Sequence, residues 1–385
     1  MKELVISIYL FLFKALFSLF SIFPLTNKTV FLSSFGSNAF FLAKELAKHQ
    51  SPPVIFLNQK RCKLDFSTID LKRKTILQFE SFKLKDTLLS IYHLATAKYV
   101  FVDDYVAVLS AVRFRENVKC IQLWHAAGAV KKFGWSDPET SRRSERAKAR
   151  FQKVYNQFHY IPVGSQKMAD IFAESFHLGP KHFLYTGVPK TDVYFDTASK
   201  ALASSKVKRK YPIIEGKKTV LYAPTFRKDT LHNMELQLDM EEMLEKLGED
   251  FVILVRLHPA VLRSSKLPNH SRIISVSGYP HIYELLIASD FLVTDYSSIP
   301  VEFSLLRKKM IFFTYDSDSY SSTHGLWTED PSYFPGPVVK TTAGVIEHIL
   351  DADIDYDAIN QFNQRWNTFS KGSSCRQLIE AIYGS

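Results

Sequence analysis

The sequence predicts an α/β protein of two doubly wound, Rossmann-like domains in tandem with a cleft between them, preceded by an apolar helix. Three observations carry this. Short β-rich runs alternate with helical stretches, the alternation breaks once at a polar basic segment and restarts, and 385 residues exceed what one core of ordinary size organises.

The first run of elements places strands at Thr29–Leu32, Val54–Leu57, Tyr99–Val102 and Cys120–Trp124, with helices over Phe40–Lys48 and Leu84–Ala95. Continuous apolar strands of this kind are buried on both faces, which means a parallel sheet covered by helices. The second run places strands at Thr219–Ala223, Phe251–Val255, Phe291–Val293 and Met310–Phe313, with helices over Glu241–Leu247 and Ile282–Ala288. The expected boundaries are an apolar helix over 1–27, a first domain over 28–200, a linker over 201–218, a second domain over 219–360, and a helical tail over 361–385 placed to pack back on the first domain.

From Leu4 to Leu25 the chain is almost continuously apolar, long enough to span a bilayer but interrupted by Lys14. At 100° per residue, Glu3, Ser7, Lys14, Ser18 and Ser21 fall in one sector of about 60°. That suits a monotopic helix lying in one leaflet with Lys14 snorkelling to the headgroups; a true span, a core helix and a cleaved signal are the rival readings, the last without a small-residue cleavage site.

Composition narrows the function classes. Hydrophobic residues are 46% and charged residues 23%, an ordinary globular balance. Neither G-x-G-x-x-G nor a Walker phosphate loop occurs. The three cysteines, Cys62, Cys120 and Cys375, are too scattered for a disulfide framework or a C-x-x-C metal site and read as a reducing cytoplasm. A formal charge of +10 biases partners toward phosphates, nucleic acid or an anionic membrane face, and the Lys131–Lys153 stretch is its densest basic run. The aromatics sit in strands rather than among the basic runs, which argues against nucleic acid.

In open α/β sheets ligands gather past the carboxyl ends of the strands. In the second domain those positions carry Pro224, Thr225 and Arg227, then Arg256 and His258, then Thr294, Asp295, Ser297 and Ser298, then Thr314 and Asp316. Ser297 or Ser298 is expected to cap a helix starting near Ile299, whose free amides, with the Arg227 and Arg256 forks, suit a phosphate or diphosphate. The first domain supplies Trp124, His125 and Gly128 after its last strand, followed by Lys131 and Lys132. An imidazole there can take a proton from an attacking hydroxyl near neutral pH, although a lone histidine after an apolar strand is more often just hydrogen-bonded. Asp103 and Asp104 are adjacent on an extended segment and point to opposite faces, which disfavours a shared metal. No ligand set demands a metal or other cofactor, and Mg2+ on a bound diphosphate is compatible with the sequence.

The strings running from Trp124 to Gly134, Gly187 to Asp192, Tyr222 to Arg227, Leu257 to Pro259 and Thr294 to Ser298 resemble, in order and spacing, the CDP-glycerol glycerophosphotransferases of wall teichoic acid synthesis. The resemblance implies a GT-B-like fold and monotopic attachment to the cytoplasmic face of the cell membrane. It implies CDP-glycerol as donor, an undecaprenyl-diphosphate-linked ManNAc-GlcNAc disaccharide as acceptor, and other teichoic acid enzymes as neighbours. His125 then matches the family's general base and His258 its second essential histidine, on the donor phosphate. Pro224, Thr225, Arg227, Arg256, Thr294, Asp295, Ser297 and Ser298 fall in the donor loops, Glu302 where a ribose carboxylate sits, and Trp124, Gly128, Lys131, Lys132 and Asp104 on the acceptor side. Ala126-Ala127-Gly128 after the histidine, where polymerases usually show Gly-Thr-Pro, sides with the priming members. A polyol-phosphate polymerase, a nucleotide-sugar glycosyltransferase and a non-catalytic binder of teichoic acid intermediates are the alternatives.

Overall fold

The computed structural model describes residues 2–81, 83–225, 236–258, 266–317, 325, 327 and 334–384. The chain divides into two compact units, the first holding Met1–His125, Phe133–Asp192 and Phe369–Ser385, the second Ala126–Lys132 and Val193–Thr368.

In the first unit, strands β1 (Thr26–Ser33), β2 (Val54–Asn58), β3 (Lys74–Gln78), β4 (Ala97–Val102) and β5 (Lys119–Gln122) form a parallel sheet in the order β3-β2-β1-β4-β5. The order reverses between β1 and β4, which opens a crevice at their carboxyl ends. Phe31 of β1 stacks between Phe56 of β2, at 5.4 Å, and Phe101 of β4, at 5.0 Å, so one face of the sheet is an aromatic layer. Helices α2 (Ser37–Leu46) and α3 (Leu84–Thr96) cover the sheet, α4 (Glu145–Tyr155) and α5 (Gln166–Phe176) follow, and the short pair β6 (Ile161–Pro162) and β7 (Phe183–Leu184) extends the β5 edge.

The amino-terminal helix α1 (Lys2–Phe20) has three sides. Phe13 and Phe17, each 3% exposed, dock on the first unit, Phe13 edge-on to Phe79 and Phe17 edge-on to Phe114. The polar stripe expected from the sequence follows, with Lys14 exposed and Glu3 paired to Arg150 of α4 through two hydrogen bonds of 2.8 and 3.0 Å. Leu4, Val5, Ile8, Phe11, Leu12 and Leu19 make up a third side that is more than half exposed. By length and composition α1 is long enough to cross a membrane.

In the second unit, α6 (Thr197–Lys210) precedes the first strand of a second parallel sheet, with β8 (Lys218–Ala223), β9 (Phe251–Val255), β10 (Ile273–Ser275), β11 (Phe291–Thr294), β12 (Lys309–Phe313) and β13 (Val338–Val339) in the order β10-β9-β8-β11-β12-β13. Its first five strands repeat the topology of the first sheet, reversing between β8 and β11. Helices α7 (Met240–Leu247), α8 (Ile282–Ala288), α9 (Ile299–Phe303), α10 (Thr342–Leu350) and α11 (Tyr356–Trp366) complete it.

The first unit's middle segment ends at Asp192 rather than at 200, and the linker and the tail also differ from expectation. The segment 201–218 is not a linker: its first half lies in α6, which Asp196 caps through Ala198 and Ser199 and which buries Ala203 and Val207. Its basic residues form a solvated face, and polarity without an apolar stripe reads as loop in a sequence. The tail divides at Phe369, with α11 in the second unit and α12 (Ser374–Tyr383) in the first. There Asp192 accepts hydrogen bonds from the Ser374 and Cys375 amides, both at 2.8 Å, and caps α12.

Gly187 makes this docking feasible. It has φ +82°, and a Cβ there would lie 2.6 Å from the Phe369 carbonyl oxygen. Gly187→Ala is expected to destabilise the protein by about 2–4 kcal/mol, read as a lower denaturant midpoint.

Candidate functional site

The first unit's crevice is built at the ends of β1, β4 and β5. Asp103 follows β4, is 1% exposed, and accepts from the amides of Ser34, Phe35 and Gly36 at 2.7, 3.1 and 2.5 Å. Burial pushes its carboxyl up, to about 6, against the pull of those three N–H groups, so it is ionised at neutral pH and clamps the loop after β1.

Past β5 the strand ends two residues earlier than expected, because Trp124 takes a left-handed conformation with φ +58°. That conformation is costly for a non-glycine residue and persists here because the surroundings impose it. The Gln122 Oε1 accepts from the Trp124 amide at 2.8 Å, and the Asn38 Nδ2 donates to the carbonyls of Leu123 and Trp124 at 3.1 and 2.8 Å. The turn delivers His125.

The imidazole of His125 lies between the Phe35 ring, at 4.6 Å, and the Trp124 ring, at 4.5 Å. Its side chain is 32% exposed, yet Nδ1 is buried without a hydrogen-bond partner and stands 3.9 Å from the Asp104 Oδ1. The exposed edge of the ring is therefore the one away from Nδ1, which carries Nε2. Burial holds the His125 pKa below its ordinary value; Asp104 raises it, and Lys190 and Arg61 lower it further. The ring is thus neutral at pH 7, the state a general base needs. The pH profile of kcat/KM is expected to have its ascending limb below 6.5 and to be flat through neutrality; a midpoint above 7 would contradict this. Lys190, 6% exposed, donates from Nζ to the His125 carbonyl at 3.3 Å.

The second unit repeats the clamp. Asp295 follows β11, is 2% exposed, and accepts from the Thr225 amide at 2.9 Å and from its hydroxyl at 2.5 Å, holding the loop after β8. Thr294 donates to the Ala223 carbonyl at 2.7 Å and lies 3.0 Å from the Ser297 hydroxyl. Thr294 and Asp295, expected to bind donor, are thus engaged with the end of β8 and the loop after it, while Pro224, Ser297 and Ser298 line the half-buried rim of the crevice. The expected capped helix is only the five-residue α9, Ser298 makes no side-chain cap, and the Ser297 hydroxyl accepts from the Ile299 amide at 3.3 Å. One turn carries little dipole, so the anion-binding role drawn from it is weakened.

The guanidinium of Arg256 donates to the Tyr279 carbonyl at 2.8 Å and so braces the loop after β10. Glu302, 4% exposed, accepts from the Tyr194 hydroxyl at 3.0 Å. His258 is exposed past β9; the protein around it and the charge of Lys131 lower its pKa, which makes it a neutral hydrogen-bond donor at pH 7. Arg227 lies outside the described residues.

Gly128, Lys131 and Lys132, expected on the acceptor side of the first domain, group with the second unit. A Cβ on Gly128 would meet Val301 at 2.8 Å and Trp366 at 3.3 Å, and the Lys132 amide donates to the Gly325 carbonyl at 2.9 Å. Asn38, Phe35 and Arg61 were not read from the sequence, although all follow β1 or β2 and the strand-end rule extends to them. Among the described residues no group of three or more His, Cys, Asp or Glu is placed to hold a metal ion.

Residues 15–384 match the family described as CDP-Glycerol:Poly(glycerophosphate) glycerophosphotransferase. The chain belongs to this family. It is 35% identical over 361 residues to a teichoic acid glycerol-phosphate primase of Bacillus spizizenii, covering 93% of this chain and 92% of that protein. With a teichoic acid poly(ribitol-phosphate) polymerase of the same organism it is 30% identical, over 81% of this chain and 52% of the polymerase. A solved structure of the wall teichoic acid polymerase TagF, a histidine-to-asparagine variant soaked with CDPG, superposes with a TM-score of 0.81 over 99% of this chain and 96% of that one, at 21% identity. The fold is accordingly GT-B-like.

Proposed function

We propose that the protein transfers glycerol phosphate from CDP-glycerol to an undecaprenyl-diphosphate-linked ManNAc-GlcNAc disaccharide, releasing CMP, the priming step of wall teichoic acid synthesis. The observation that carries this is the match to a glycerol-phosphate primase across 92% of its length, against 52% of a polymerase.

In this reading an acceptor hydroxyl gives its proton to the His125 Nε2 as its oxygen attacks the glycerol-bearing phosphorus. The bond from that phosphorus to the CMP oxygen breaks, and CMP leaves with the electron pair. The neutral imidazole of His258 donates a hydrogen bond to the donor phosphate, and the nearby Lys131 charge offsets what builds up there. The rim of Pro224, Thr225, Ser297 and Ser298 receives the nucleotide, with Arg227 as a further cation and Glu302 on the ribose. The transfer uses no resident cofactor, and any Mg2+ arrives on the diphosphate; activity that survives chelation supports this.

The exposed apolar side of α1 supports attachment to the cytoplasmic leaflet, with Lys14 and the basic α4 at the headgroups. Phe11→Glu with Leu12→Glu is expected to shift most of the protein from floated anionic vesicles to the unbound fraction, without unfolding it.

The deciding experiment incubates the purified protein with CDP-glycerol and the lipid-linked disaccharide and weighs the product. A single added glycerol phosphate is expected. A ladder would make the protein a polymerase, and no product with CDP-glycerol but transfer from CDP-ribitol would reassign the donor.

A further inference from the structure

Arg61, past the end of β2, has no place in the mechanism above, yet its guanidinium makes a 2.5 Å contact with the Asp104 Oδ2. The Arg61 side chain is 48% exposed, and an exposed ion pair of this kind adds about 0–1 kcal/mol to stability, so stability does not account for it. Its position is nevertheless well defined. It also donates to the Gln59 Oε1 at 3.3 Å and lies 5.1 Å over the Phe35 ring, the ring that stacks on His125. Gln59 in turn donates to Glu80 at 3.3 Å, and Glu80 sits in a left-handed conformation with φ +56°.

The consequence falls on Asp104. With Oδ2 held by Arg61, Oδ1 is left facing the His125 Nδ1 at 3.9 Å, too long for a hydrogen bond. That Nδ1 is buried and has no hydrogen-bond partner, a state that costs about 1–3 kcal/mol until it is satisfied. The other groups around the imidazole are the Asp103 carbonyl, which favours its protonated form, and the cations of Lys190 and Arg61, which disfavour it. Asp104 is the carboxylate among them.

We propose that Asp104, tethered by Arg61, is the positioning residue of the transfer: it holds the proton of neutral His125 on Nδ1, turns Nε2 toward the acceptor hydroxyl, and closes on Nδ1–H as the imidazolium forms. The proton balance is simple. The hydroxyl proton moves to Nε2, Nδ1 keeps its own, and the cation that results is shared with a carboxylate that a rotation of about 1 Å brings into hydrogen-bond range. Arg61 holds Oδ2 and prevents Asp104 from turning away. This rests on His125 being the base.

The test compares Asp104→Asn, Asp104→Glu, Arg61→Ala and His125→Ala in the product assay across pH. Asp104→Asn is expected to lower kcat about 100-fold with the KM for CDP-glycerol unchanged. Because Asp104 raises the His125 pKa, its neutralisation is expected to move the ascending limb of the profile to lower pH. Asp104→Glu keeps the charge and reaches further, and is expected to recover kcat to within about tenfold of wild type. Arg61→Ala is expected to fall between them. The proposal is overturned if Asp104→Asn retains kcat, or if Asn and Glu variants are equally impaired with an unmoved limb, as a purely structural role would give. If His125→Ala itself remains active, the base assignment fails; an inactive His125→Ala beside a fully active Asp104→Asn removes Asp104 alone.

Discussion

Replacing His125 by alanine is expected to lower glycerol-phosphate transfer about 1,000-fold or more while leaving donor binding largely intact. The direction follows from geometry. The ring is held between Phe35 and Trp124, its exposed edge carries Nε2, and burial keeps it neutral at pH 7, so its removal takes away a proton acceptor and little else. The fold is expected to survive, because the turn that carries His125 is secured by backbone contacts from Asn38 and Gln122 rather than by the imidazole. Incorporation of labelled glycerol phosphate at saturating CDP-glycerol measures it. A variant keeping more than about a tenth of wild-type kcat would exclude a general-base role, since such groups contribute about 100- to 10,000-fold. His258→Ala is expected to act differently, weakening the donor interaction, because His258 contributes a hydrogen bond and not the accepted proton.

Much of the fold was legible because buried parallel strands announce themselves. Val54–Leu57, Tyr99–Val102 and Phe251–Val255 are apolar runs of strand length, and all three pair in parallel. The failures have physical reasons. Helix α6 hides behind its lysines because only Ala203 and Val207 are fully buried along it. The segment Ala126–Lys132 follows His125 without a break, yet belongs to the second unit because Gly128 admits Val301 and Trp366, a contact between residues more than 170 positions apart. The strand-end rule singles out His125, His258 and the Ser297 rim as candidates, but it cannot tell a side chain that binds a ligand from one that shapes the crevice. Thr294, Asp295 and Arg256 are engaged with the neighbouring strand ends and loops, while Arg61 and Phe35 sit against the His125 site.

That division of labour recurs in both units. Asp103 follows β4 and holds the loop after β1; Asp295 follows β11 and holds the loop after β8, at the same point in two sheets of the same strand order. Each carboxylate sits at the point where the topology reverses, where a sheet otherwise leaves loop amides unpaired in a crevice. Asp103→Ala is expected to cost about 3–5 kcal/mol, because three N–H groups, two of them buried, lose a charged acceptor at once. Asp295→Ala is expected to cost less, about 2–3 kcal/mol, since it strands one amide and one hydroxyl. Denaturant unfolding of the two variants followed by a probe in each unit measures both. Activity should separate them further. Asp103→Ala frees the Phe35 amide and with it the ring against His125, so kcat is expected to fall even below the temperature at which the first unit melts, whereas Asp295→Ala loosens Thr225 and is expected to raise the KM for CDP-glycerol. Equal effects of the two substitutions on kcat and KM would show that the clamps stabilise the sheets without orienting what lies at their ends.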